Sequence, residues 1–240
     1  MILIPMVGAS SRFFKAGYTL PKYQLPLWGK NVFHYVMLSF EKKFDKEKFV
    51  FVIRDSYDAE NFIRNEIEAL SIKDYKIIVL DELTSGQAET VYKALLDIEA
   101  DDSLTIFNID TIRYDFVYPD FIDSCNGYLE VFKGEGEHWS FVKTVNDNSL
   151  DVIQTAEKNR ISDLCSNGLY YFDSIDAYKY YFKEMLSNSD QVNGELYVAP
   201  MYNYAIRNNA KIKRFLVSKN EIDFCGTPDE YEFLVTRGPR

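Results

Sequence analysis

The chain is poor in the residues that build covalent staples and metal clusters: its 240 residues include three cysteines and two histidines. The odd, widely spaced cysteines (Cys125, Cys165 and Cys225) fit neither a disulfide framework nor a clustered zinc motif. A reduced, cytosolic compartment is the natural expectation. With only His34 and His138, histidine-rich metal chemistry is disfavoured. Positive charge is short as well, with 27 Lys and Arg against 37 Asp and Glu and a net charge of −10. A general nucleic-acid binder neutralises phosphates with surplus cations, so that class falls away. A small phosphorylated ligand needs only a local cluster of donors and stays in play. No long hydrophobic run is present. The N-terminal MILIPM is too short for a membrane span and lacks the basic start and long apolar region of a signal peptide. A cytoplasmic protein with no membrane partner is expected.

Apolar material is abundant by contrast, at 47% hydrophobic and 16% aromatic residues. A core of this size argues against long disorder, and 240 residues without a Gly/Ser-rich linker or repeat suit one domain spanning 1–240. Strand-length apolar runs recur at Met1–Met6, Phe49–Ile53, Lys76–Leu80 and Leu104–Asn108. Helically spaced faces lie between them: Val32 to Phe40, Phe62 to Leu70 and Ala88 to Ile98. Alternating strands and helices imply a doubly wound, Rossmann-like α/β sheet. Both sheet faces are then covered, which explains VFVI and IIVL as unbroken runs, and ligands sit outside the carboxyl ends of the strands. Beyond Asp110 the strands shorten (Tyr128–Phe132, Ser140–Thr144, Asp151–Gln154, Leu169–Phe172) and turns such as GEGE and NDNS appear. This half, 116–240, reads as antiparallel additions that make the sheet mixed. It is completed by helices near Ser174–Leu186 and Glu195–Arg207, a strand at Ile212–Val217 and a last helix from Pro228.

The first strand runs into GASSRF, and this loop decides most of the function. It lacks the G-x-G-x-x-G of a dinucleotide fingerprint and the lysine of a P-loop. What remains is a loop of small residues whose backbone N–H groups can face phosphate oxygens, with Arg12 adding charge. Ten residues on, LPKYQLP supplies Lys22 as a second cation behind Pro21.

The stretch PMVGASSRFFKAGYTLPKYQLPLWGK resembles the signature of the sugar-phosphate nucleotidyltransferases, whose loop reads G-x-G-[ST]-R-[FLM] followed by P-K. That family has a GT-A-like fold. The resemblance implies that Gly8, Ala9, Ser10 and Ser11 wrap a nucleoside triphosphate while Arg12 and Lys22 hold its phosphates. The chain departs from the pattern at Ala9–Ser10, where the commonest members have a second glycine. LTSGQAETV resembles the base-recognising segment and implies that Gly86, Gln87 and Thr90, with Thr84 nearby, approach the base. LTIFNIDTIRYDF ends a buried strand at Asp110, where the family holds its Mg²⁺; Asp115 is close by but is not selected by the motif.

The acceptor half of the family is resembled by WSFVKTVNDNSLDVIQTAEKNRISDLCSNGLYYF, which implies acceptor-phosphate binding by Lys143 and Lys158. It places Glu157 and Gly168 in the same pocket, with Gly168 leaving room for the ligand. NGELYVAPMYN adds Glu195, expected at a helix start as an acceptor contact. EIDFCGTPDEY resembles a terminal element whose aspartate completes the metal site, but here Phe224 stands at that place and Asp223 one residue earlier. On a strand, a slip of one residue turns the side chain to the other face. Asp223 therefore becomes a second metal ligand only through a local bulge.

The reaction implied is attack of an acceptor phosphate on the α-phosphorus of an NTP, releasing pyrophosphate. Short members of the family belong to capsular and surface-polysaccharide pathways, and some use CTP; this chain looks most like those. The expected partners are an NTP and a phosphorylated small acceptor, and a homodimer is left open. Two other readings are a GT-A glycosyltransferase with an NDP-sugar donor and a non-catalytic nucleotide-binding regulator. The first usually shows D-x-D at its metal, unlike Asn108-Ile109-Asp110; the intact Arg12, Lys22 and Asp110 speak against the second.

Overall fold

The computed structural model describes residues 1–98 and 102–240. In chain order, β1 (Ile2–Pro5), α1 (Ser11–Lys15), β2 (Pro26–Leu27), β3 (Lys30–Asn31) and α2 (Val32–Leu38) come first. They are followed by β4 (Lys48–Arg54), α3 (Ala59–Leu70), β5 (Asp74–Leu80), α4 (Gln87–Leu96), β6 (Leu104–Phe107) and β7 (Thr111–Arg113). The remainder supplies β8 (Gly127–Lys133), β9 (Ser140–Thr144), β10 (Val152–Glu157), β11 (Leu164–Phe172), α5 (Ile175–Ser187) and α6 (Met201–Arg207). Last come β12 (Ile212–Leu216), β13 (Ile222–Phe224) and α7 (Pro228–Arg237). Two compact units interleave along the chain. One holds Ile2–Leu83, Asn108–Phe116 and Asn220–Arg240; the other holds Met1, Thr84–Phe107 and Val117–Lys219.

The first unit, the parallel unit, is built on β1, β4 and β5, with Ile2 opposite Phe49 and Lys48 opposite Asp74. The run Phe49–Ile53 is buried throughout, as a parallel strand covered on both faces requires. Helices stop and start where local chemistry says they should. The Asn31 side chain caps α2 by accepting from His34 N at 2.8 Å. Thr227 and Glu230 form a capping box at α7, with Pro228 in its first turn. A short antiparallel pair, β7 with β13, puts Thr111 opposite Phe224 and Asp223 opposite Ile112 in regular register.

The second unit, the antiparallel unit, is organised around β11, which pairs antiparallel with β6, β8 and β9. Strand β10 joins β9 antiparallel, and β12 joins β8 in parallel. Its core is rich in tyrosine, and each buried hydroxyl that finds an acceptor ties two elements together. Tyr178 donates to the Ala88 carbonyl at 2.9 Å, and Tyr202 to the Tyr171 and Tyr128 carbonyls at 2.8 and 3.1 Å.

The helix expected from Glu195 begins at Met201 instead. The backbone upstream is already committed: Leu196 donates to Ser85 O at 2.7 Å and accepts from Ala88 N at 3.0 Å. Pro200 also disfavours α geometry in the residue before it. Glu195 is thus no first-turn acid but part of an isolated bridge with Val192. No helix among the described residues is long and apolar enough to cross a membrane.

Candidate active site

In the parallel unit, Gly8 and Ala9 form an exposed loop beyond the carboxyl end of β1, leading to Ser10 and the start of α1. Ser10 adopts the left-handed conformation, with φ 48 and ψ 31. The family's second glycine would take this conformation freely, whereas a Cβ there costs about 1–2 kcal/mol. The serine hydroxyl offsets part of that cost by accepting from Lys22 N at 3.2 Å. That bond ties GASSRF to LPKYQLP, so the two segments form one structural device. Ser11 opens α1, and Arg12 projects exposed from its first turn.

Lys22 reaches across to Asp110, with Nζ 2.5 Å from Oδ2. Both side chains are about a quarter exposed, at 23% and 22%. Gly226 closes the other side of this carboxylate: a Cβ at that residue would fall 2.8 Å from Asp110 Oδ2. The Cys225 N–H bonds the Asp110 carbonyl at 2.9 Å. The C-G-T-P turn is therefore packed against Asp110 by its backbone, where sequence reasoning looked only for an aspartate. The signal was present in the glycine itself, since a missing side chain marks a close approach.

Asp223 is engaged elsewhere. Regular pairing of β13 with β7 leaves no bulge to turn it. Its carboxylate, 5% exposed, accepts from Arg237 Nη1 and Nη2 at 2.7 and 2.6 Å, from Arg240 Nη2 at 2.7 Å and from Tyr114 Oη at 2.7 Å. Burial pushes this carboxyl up, but the bonds from Arg237 and Tyr114 outweigh it and the group ends below the usual aspartate range. The aspartate expected as a second metal ligand thus holds the C-terminal helix and tail. Asp115, which the motif did not select, is exposed and 3.6 Å from Lys42 Nζ.

In the antiparallel unit, Gly86 caps α4 with φ 139. Its Cα faces the backbone of Leu196 so closely that a Cβ would lie 2.4 Å from the Leu196 carbonyl oxygen. Only glycine satisfies both demands. Gln87 is the first residue of α4 and half-buried. Thr90 is 3% exposed; its hydroxyl lies 2.6 Å from that of Thr84, and both reach the Gly86 carbonyl, at 3.2 and 3.1 Å. Thr90 therefore braces the loop that carries Gly86.

The residues expected at the acceptor separate into two groups. Glu157, buried at the end of β10, accepts from the Ser140 hydroxyl, which is itself 3.4 Å from Tyr170 Oη. Burial pushes the Glu157 carboxyl up, against the opposing Ser140 bond and Lys158 charge. Lys158 donates to Tyr197 Oη, and Tyr197 donates to Glu195 Oε2. The ammonium also lies 4.6 Å from the centre of the Tyr197 ring. Tyr197 was not expected, although the alternation of an extended E-L-Y segment puts it on the same side as Glu195. Lys143 stays apart. It is exposed, and an odd step along β9 puts it on the face opposite Ser140. Gly168 sits with φ 90 at a register shift of β11, buried, where the backbone conformation itself selects glycine.

No family model and no curated protein matches the chain. Solved structures do. The nucleoside-diphosphate-sugar pyrophosphorylase from Vibrio cholerae RC9 is 45% identical, with 98% of this chain and all of that one covered (100%) at a TM-score of 0.95. The chain belongs to the nucleoside-diphosphate-sugar pyrophosphorylases, a family of nucleotidyltransferases. The inositol-1-phosphate CTP transferase from T. maritima is 16% identical, covering 97% of this chain and 93% of that one at a TM-score of 0.72. A UDP-glucose pyrophosphorylase complexed with UDP-glucose is 15% identical, covering 98% and 97% at 0.73. These last two share the fold, the mixed α/β, GT-A-like architecture expected from the sequence.

In this nucleotidyltransferase the parallel unit offers cations and loop N–H groups, and the antiparallel unit offers Lys158 among carboxylates and a tyrosine. Such chemistry suits binding and charge neutralisation. Histidine plays no part in either cluster.

Proposed function

We propose that this nucleotidyltransferase moves a nucleoside monophosphate, CMP from CTP, onto a phosphorylated small acceptor and releases pyrophosphate. The observation that carries the reading is the Lys22–Asp110 pair, 2.5 Å apart, fastened through the Lys22 N–H to the Ser10 hydroxyl of the loop after β1. A cation and a carboxylate paired beside the loop of small residues that follows the parallel strand β1 suit a polyphosphate and its counter-ion. CTP as donor, a sugar phosphate or phosphoglutamine as acceptor, and a role in capsular or surface polysaccharide rest on the resemblance to the short members of the family. Cysteine usage supports a cytoplasmic location, and a homodimer remains a proposal for solution measurement.

Mg²⁺ fits the donor set. Among the described residues no group of three or more His, Cys, Asp or Glu side chains converges, as a closed metal cage would need. Mg²⁺ ordinarily uses one or two carboxylates and takes its other ligands from phosphates and water, which Asp110 alone satisfies. When bound, the ion neutralises triphosphate charge.

Arg12 and Lys22 hold the triphosphate and stabilise the departing pyrophosphate, and the backbone of Gly8–Ser11 orients it. Lys158 holds the acceptor phosphate; Lys143, on the other face of β9, serves as an outer cation for its approach. A phosphate monoester is largely ionised at neutral pH, with a second pKa of about 6, so in-line attack needs alignment more than a general base.

The test is pyrophosphate release with Mg²⁺, each NTP in turn, and acceptors including phosphoglutamine and hexose 1-phosphates. Release with CTP and one acceptor class supports the reading. Turnover with UTP, GTP or dTTP alone overturns the cytidylyl assignment while keeping nucleotidyl transfer. Hydrolysis or glycosyl transfer from an NDP-sugar, with no release from any NTP, favours the GT-A glycosyltransferase.

A further inference from the structure

Arg54 is the last residue of β4, at the same carboxyl edge that delivers the loop after β1. It lines a cleft with Gly8, Ala9, Pro21, Tyr23 and Tyr57. Its Nε is buried and has no hydrogen-bond partner. Among the described residues, no hydrogen bond or ion pair engages the guanidinium at all. The titratable neighbour does not supply an anion either. Burial pushes the Tyr23 hydroxyl up to about 12, against the opposing pull of Gln24 and of the Arg54 charge. A buried guanidinium donor without an acceptor is costly and rarely left so in a folded protein. In a chain of net charge −10, an uncompensated cation inside a cleft calls for an anion from outside.

We infer that Arg54 binds the pyrophosphate portion of the nucleotide, from the side of β4, as a third cation beside Arg12 and Lys22. The inference rests on the nucleotidyl-transfer reading for the identity of the anion. The guanidinium fork suits two phosphate oxygens at once, which a lysine at the same place could not match. The cleft is walled by the triphosphate loop, by Pro21 and Tyr23 of the segment that carries Lys22, and by the strand end after β4. Two of these walls thus belong to that loop or adjoin Lys22, and the third carries Arg54 itself. The stacked Phe14 and Tyr57 rings, 5.4 Å between centres, also line it.

The experiment is calorimetric titration of the full chain with Mg²⁺ and inorganic pyrophosphate, then CTP, then CMP, for the wild type, Arg54→Met and Arg54→Lys. Loss of a charged bidentate contact predicts that Arg54→Met binds pyrophosphate and CTP about 10–100-fold more weakly. CMP affinity should stay within twofold, and Arg54→Lys should recover part of the loss. Because the guanidinium holds no partner in the protein, Arg54→Met should melt at or above the wild-type temperature. Pyrophosphate affinity unchanged in Arg54→Met overturns the inference. So does a variant that melts well below wild type and loses CMP and pyrophosphate alike, since that is a packing role. Wild type that binds pyrophosphate through Arg54 but turns over no NTP leaves the inference standing and sinks the functional reading. Wild type that binds no pyrophosphate sinks both.

Discussion

Replacing Asp223 by Asn separates two roles that one carboxylate could play. The side chain is 5% exposed and receives four hydrogen bonds, three of them from the guanidiniums of Arg237 and Arg240. Removing one partner of a buried ion pair costs about 3–5 kcal/mol when the other is fully buried. Here the arginine side chains are 25% and 36% exposed, so water screens what is left behind, and Asn keeps one acceptor oxygen. A loss of about 2 kcal/mol follows, which lowers the melting temperature of a chain this long by about 4–8 °C. The pH dependence has a definite sign. A carboxyl held below its ordinary value of about 3.9 stabilises the fold above that pH and loses its contribution as pH falls through the folded value. The gap between wild type and Asp223→Asn should therefore be full at pH 6–8 and close in strongly acidic solution. Thermal and urea unfolding between pH 3 and 8 measure it, with Mg²⁺-dependent turnover at 25 °C alongside. A variant as stable as wild type, with its Mg²⁺ requirement shifted at least tenfold, would refute the structural role and return Asp223 to the metal site.

Asp110→Asn should abolish turnover while melting within about 1 kcal/mol of wild type, because its partner Lys22 is partly exposed; retained activity sinks the metal assignment. Gly86→Ala places a Cβ 2.4 Å from the Leu196 carbonyl at φ 139. Backbone strain and the loss of two loop hydrogen bonds then cost about 2–4 kcal/mol, and unfolding within 0.5 kcal/mol of wild type contradicts the close approach. Tyr197→Phe removes the hydroxyl that links Lys158 to Glu195. It should raise the KM for the phosphorylated acceptor several-fold and leave that for the NTP unchanged; an effect on the NTP instead would move the Lys158 cluster out of the acceptor site.

The parts that were legible share a physical reason. Unbroken apolar runs such as Phe49–Ile53 announce strands covered on both faces, and they fell within β4 with every residue buried. The short motifs identified Lys22 and Asp110 separately, and the structure joins them across 88 residues. What could not be read depends on partners far along the chain. Asp223 looked like a metal ligand slipped by one residue because its arginines lie 14 and 17 residues on and Tyr114 lies 109 back. Local pattern carries no trace of such a clamp. The start of α6 was misplaced for the same reason: Leu196 spends its N–H and C=O on Ser85 and Ala88.

Glycine shows how a residue can answer to its own backbone before any ligand. Gly168 and Gly86 were expected at ligand surfaces, yet each is required first by its own backbone, through φ 90 at a register shift and φ 139 against Leu196. Gly226 carries a signal of the same kind, since its missing side chain is what lets the C-G-T-P turn lie against Asp110. At Ser10 the logic reverses. The loop keeps a left-handed residue without glycine, and the hydroxyl that a glycine would lack is the group that accepts from Lys22 N. The departure from the family pattern therefore exchanges backbone freedom for a fixed link between the loop and its cation. Under the proposed function, preorganising Lys22 in this way lowers the entropy lost when the triphosphate binds, so Ser10→Gly should relax the backbone yet weaken NTP affinity.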